Sequence, residues 1–356
     1  MLLCHLSEAV AAPLSRGDSP KQGDPAAAGP WLQRDPIFQQ AASRMFLLKQ
    51  ILPAAIMAMM VAAGVCGLAL YWGKERARGA VGPLALGLAY LSGHLVITGW
   101  VPFPPADTTN WLPYFALAAA VLASLFSAAS LFPEGGASAR PGREKAGPSE
   151  TEARRGRVSD GALKLPAWAR VLIFSLVSAG ALRLLLQPKF SYGWSLTDGC
   201  IWVACLAGAM VLLAIILDAL ARRPATAVEM PAFLLITCAG TVGALMLSGS
   251  MLLGQFAVVL GAAVFGSLVL TARKVALGRG IVPVFTLLLV PLLLSGYFFA
   301  ELPASSAALI AFAPVLALIP IRMRAIPTFP VRAALMSVPI LVALVLAFRS
   351  SPPLSY

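Results

Sequence analysis

Charge is what this sequence has least of. Asp, Glu, Lys and Arg together make up 12% of 356 residues, and the whole chain holds 15 acidic residues and two histidines. Soluble globular chains are about 25% charged. A water-soluble enzyme and a disordered protein are therefore both excluded. So few histidines rule out a His-based zinc or haem site. The cysteines Cys4, Cys66, Cys200, Cys205 and Cys238 have neither metal-binding nor redox spacing. All but Cys4 lie in or beside apolar runs and read as small hydrophobes. No HExxH, Walker or paired-aspartate motif is present. Ser92 and His94 are close in sequence, but two residues apart on a helix point to different faces, so they are no nucleophile–base pair. The sequence thus predicts no catalytic residue, no metal and no cofactor.

What the chain has is apolar length. Hydrophobic residues make up 59% of it, and a helix needs about 20 of them to cross a bilayer. The apolar runs are 51–72, 81–103, 111–132, 168–187, 195–219, 231–251, 255–272, 281–299, 305–321 and 331–348. They predict an all-α integral membrane protein, a polytopic bundle of ten transmembrane helices. The division between the sixth and seventh rests on Gly249-Ser250-Met251-Leu252-Leu253-Gly254, where Ser and Gly mark a turn.

The basic residues orient the bundle. A net charge of +12 would suggest nucleic acid in a soluble protein. Here it follows the rule that Lys and Arg collect on the cytoplasmic side, and no nucleic-acid partner is expected. The loops after the odd-numbered predicted helices carry Lys74, Arg76 and Arg78, then a run from Arg140 to Arg170, then Arg222 and Arg223, then Arg273, Lys274 and Arg279, and finally Arg322, Arg324 and Arg332. The opposite side has Arg183, Lys189 and Arg349. Both chain ends are accordingly expected outside, in a protein of the plasma membrane, a bacterial inner membrane.

Composition divides the chain. Residues 1–44 read as a disordered polar tail, with Met45 a start-like residue ahead of the first apolar run. Residues 45–132 form a three-helix membrane part, and residues 168–348 a seven-helix part, with a short tail at 349–356. Between the membrane parts, residues 133–167 hold Gly-Gly, Pro-Gly and Gly-Pro pairs among interleaved charges, the composition of a flexible cytoplasmic linker. Arg154, Arg155 and Arg157 there offer a patch for anionic lipid head groups. The lipid bilayer itself is the other partner expected, and the sequence identifies no protein partner.

Ionisable groups at membrane depth are costly, and each is a functional hypothesis. Asp218 is explained by Arg222 one helical turn on. The candidate substrate-binding residues are His94 in the second predicted helix, Arg183 in the outer part of the fourth, Asp198 at the mouth of the fifth and Glu301 after the eighth. All four fall in the outer half, beside short loops rich in Pro and aromatics. Arg183 can pair with Asp198 or Glu301 to hold an anionic group, or snorkel to the head groups. Pro291, Pro314 and Pro339 interrupt the last three helices, where transporters place bent helices near their sites. The tripeptide Leu-Ser-Gly recurs at 91–93, 247–249 and 294–296, and small residues four apart recur throughout, which favours close helix packing. The expectation is a permease-like transporter with an outward-facing polar site for a small or anionic solute. The alternative is a non-catalytic membrane subunit or scaffold that packs with partner membrane proteins.

Overall fold

The computed structural model describes residues 36–71, 75–100, 102–105, 107–130, 166–222, 228–271, 280–319 and 328–350. They form two units, 1–48 and 49–356. In the first, the described residues, 36–48, are helical. The described residues are helical with no strand among them: α1 (Pro36–Tyr71), α2 (Glu75–Thr98), α3 (Leu112–Ser130), α4 (Ala167–Leu185), α5 (Gln187–Tyr192), α6 (Leu196–Ala221), α7 (Glu229–Leu247), α8 (Met251–Thr271), α9 (Ile281–Phe299), α10 (Ala304–Leu316) and α11 (Thr328–Ser350). A short 3-10 turn, Thr108–Trp111, leads into α3.

Eight of these helices contain stretches long and apolar enough to cross a membrane: α1, α2, α4, α6, α7, α8, α9 and α11. Each of the ten predicted runs contains a helix, and of the two outside those eight, α3 and α10, α10 is the shorter. Its 13 residues span about 20 Å, against a hydrocarbon core of roughly 30 Å. Turns at 317–319 follow it. The division predicted near Gly249 is present. α7 ends at Leu247, and Gly249 has φ +83°, a left-handed conformation that glycine adopts without steric cost. The start of α1 at Pro36 places residues 36–44, read from composition as tail, within a helix. The predicted 133–167 linker lies outside the described residues up to 165.

The second unit is built around α9. This helix touches α2, α3, α4, α6, α7, α8 and α10. Its neighbours also touch one another in turn: α8 meets α2, α2 meets α3, α4 meets α6, α6 meets α10, α10 meets α7 and α7 meets α8. The turn at 108–111 bridges α3 to α4. Ile281 to Gly296 has no charge, so α9 can be enclosed by other helices without stranding one; the equally uncharged Ala333–Phe348 of α11 lies on the outside, so packing and not composition puts α9 at the centre. In α9 78% of the spanning stretch is buried, against 22% in α1 and in α11. α11 packs on the outside against α7 and α10, and α1 lies against α2 and α8 through Ala54, Met59 and Ala62.

Small residues set these contacts. A Cβ on Gly87 of α2 would meet Ala120 Cβ of α3 at 2.6 Å, and one on Gly266 of α8 would meet the Met59 carbonyl oxygen of α1 at 2.7 Å. Within lipid, where apolar burial between helices gains little over lipid contact, such close packing holds a bundle together. The small-residue pairs differ in use. Gly93, Gly243 and Gly266 face neighbouring helices, whereas Gly67 has open space around its Cα. The Leu-Ser-Gly tripeptides also differ: Gly93 and Gly296 are helix contacts, and Gly249 is a turn.

Candidate functional site

His94 lies four residues before the end of α2, about 6 Å along the axis. Its side chain is fully buried. The ring stacks on Phe256 of α8, with centroids 4.3 Å apart and planes at 18°. Tyr90, one turn earlier on the same face, places its ring 6.0 Å away. Gly93 makes this approach possible, because a Cβ there would meet Val259 Cγ1 at 2.5 Å and the Ala54 carbonyl oxygen at 3.0 Å. Among the described residues neither imidazole nitrogen has a hydrogen-bond partner, and neither does the Tyr90 hydroxyl. A neutral imidazole offers one donor and one acceptor, so His94 and Tyr90 together hold a donor–acceptor pair and a phenol that meet no hydrogen-bond partner among the described residues.

The other three candidates have different surroundings. Arg183, exposed in the last turn of α4, sets its guanidinium carbon 3.9 Å from the centroid of Phe190. Asp198 caps its own helix: the Ser195 hydroxyl donates to its carboxylate at 2.7 Å, and its backbone N–H donates to Ser195 Oγ at 3.1 Å. This reciprocal cap satisfies otherwise orphaned groups at the start of α6. Glu301 is exposed, with φ 55°. Its backbone lies where α9 ends, and the N–H groups of Ala300 and Leu302 both donate to the Gly296 carbonyl at 3.0 Å. No ion pair or hydrogen bond joins any two of His94, Arg183, Asp198 and Glu301 among the described residues. The predicted Asp218–Arg222 pair is present, with Arg222 Nε donating to Asp218 at 2.7 Å.

One charged pair escapes sequence reasoning. Glu229, at the start of α7, is buried, and Arg332 on α11 approaches its Oε2 with Nη1 at 3.8 Å. Glu229 Oε2 and Arg332 Nε have no hydrogen-bond partner. Both residues sit at the edges of apolar runs and read as ordinary loop charges. Only the adjacency of α7 and α11, sealed one turn on by Phe233 against Phe329, brings them together. Tyr90 and Phe256 were equally hidden, because aromatic residues in apolar runs carry no signal of what they face.

The fold and its buried polar groups define an all-helical integral membrane protein. No known protein family, no curated protein and no solved structure matches the chain.

Proposed function

We propose that the chain is a permease-like protein of ten transmembrane helices with both ends outside, and that a small polar solute binds at His94. The observation that carries this reading is the fully buried imidazole with two unpartnered nitrogens beside an unpartnered phenol. Leaving buried donors and acceptors unsatisfied costs about 1–3 kcal/mol each. A phenylalanine would fill the same stacked position against Phe256 without that cost. Retaining histidine there makes sense when the ring hydrogen-bonds to something that comes and goes. His94 is also about 6 Å along the axis from the end of its helix. The mid-helix Pro291 and Pro339 in α9 and α11 add points where helices can bend.

The scaffold reading has its own support in the apolar α9 filling the bundle axis. Thermal unfolding of the purified protein separates the two. The detergent-solubilised chain is melted against a panel of amino acids, sugars, carboxylates and inorganic phosphate. A solute that raises Tm in the wild type and has no effect on H94F supports the permease. If no solute shifts Tm and H94F is the more stable protein, His94 is a packing residue and the scaffold reading stands.

A further inference from the structure

We propose that the elbow joining α4, α5 and α6 binds the head group of an anionic phospholipid in the adjacent leaflet, with Arg183 and Lys189 holding its phosphodiester. Two cations lie here at the ends of three helices, α4, α6 and α9. Each faces an aromatic ring rather than an acid: Arg183 lies over Phe190 at 3.9 Å, and Lys189 Nζ lies 6.0 Å from the Phe298 centroid. Neither takes part in an ion pair among the described residues. The acids nearby in the chain are Asp198, whose carboxylate accepts from Ser195, and Glu301, which is exposed beyond α9.

The rings form a continuous plate. Phe190 meets Trp194 edge to face at 6.0 Å, Trp194 stacks on Trp202 at 5.8 Å and 8°, and both indoles meet Phe298 edge-on. The plate is anchored, because Phe190 fills the space over Gly199 that a Cβ would need. A cation over a ring face is attracted by the ring quadrupole while its charge is left unmatched by any acid. A guanidinium so held presents a fork that matches two phosphate oxygens. Arg183 also sits at the C-terminal end of α4, where the helix dipole favours a positive charge.

The surroundings decide what carries the phosphate. Beside the cations, Tyr192, Leu196 and Ile201 are exposed, at 91%, 77% and 56%, and Trp202 is exposed as well. An inorganic anion has nothing to set against these side chains. A phospholipid does, since its glycerol and acyl chain lie along apolar surface while its phosphate reaches the cations. Tryptophan and tyrosine at this level are the residues that favour the membrane–water interface.

The test uses the full chain released from detergent and analysed by native mass spectrometry with phosphatidylglycerol or phosphatidylcholine added. The wild type should retain phosphatidylglycerol preferentially. R183Q/K189Q should lose about tenfold in phosphatidylglycerol affinity, R183K should lose less, and R349Q, on α11, which packs against α7 and α10, should lose nothing. Should the double variant fail to fold, K189Q and R183K alone still have to weaken retention, and both keep a long side chain at the site. Equal retention of the two lipids by the wild type, unchanged retention in the variants, or displacement of the lipid by millimolar inorganic phosphate overturns the proposal.

Discussion

The Glu229–Arg332 pair gives the sharpest test of how the outer helix α11 is held. At 3.8 Å two unit charges attract by about 4 kcal/mol at an effective dielectric of 20. Both side chains are largely out of water, at 9% and 15% exposure, so desolvation offsets much of that gain. Removing one partner is a different matter, because the other charge is then stranded. That typically costs about 3–5 kcal/mol. The two single variants should not be equal. E229L strands a guanidinium that cannot shed its proton, and about 3 kcal/mol of stability should be lost. R332M strands a carboxylate that can take up a proton and neutralise itself, so the loss should be smaller, about 2 kcal/mol. E229L/R332M replaces both charges by apolar groups and should return to within about 1 kcal/mol of the wild type. Reversible unfolding in mixed micelles of rising dodecyl sulfate fraction, followed by tryptophan fluorescence, measures all four corners of the cycle. If each single variant costs less than about 1 kcal/mol and the double variant shows their sum, the charges do not interact, and α11 is held by packing alone.

Other expectations are simpler. G266V should cost about 1–3 kcal/mol, since its side chain would run into Met59 and Ala62 of α1, and G67A, with open space around it, should be close to neutral; thermal melts of both in detergent compare them. D218N should change stability by less than about 1 kcal/mol, because the pair it breaks with Arg222 lies at an exposed helix end. Reporter fusions placed at 145 and 192 should report opposite sides of the membrane, with the basic segment inside; a periplasmic signal at 145 refutes the proposed orientation. A chain beginning at Met45 keeps the apolar stretch Lys49–Leu68 and should accumulate in the membrane as the full chain does, as fractionation and immunoblotting will show.

Much of this protein is visible in one dimension. Apolar run length alone locates the helices, because a bilayer leaves backbone groups no partner but their own helix. Serine and glycine between two runs mark the Gly249 region as a turn. The i to i+4 pairing of Asp218 with Arg222 is equally local, and so it was predictable. Run length does not fix helix length at 305–321, where an apolar run contains a 13-residue helix followed by turns. Composition cannot distinguish apolar helix from apolar turn.

Which side chains meet was decided by the tertiary structure. Arg183, Asp198 and Glu301 share a depth in the sequence, and depth suggested a common site. The fold gives each a local role instead: a ring beneath Arg183, a cap for Asp198, a helix end at Glu301. Those roles rest on residues no more than seven positions away, Phe190, Ser195 and Gly296, brought round by the turns between helices. Conversely, Glu229 and Arg332 are a hundred residues apart and look like solvated loop charges until α11 lies down on α7. His94 is legible as an oddity, a histidine in an apolar run. That it is sealed against Phe256 with its nitrogens unpaired depends on Gly93, which lets α2 and α8 come close enough to stack two rings.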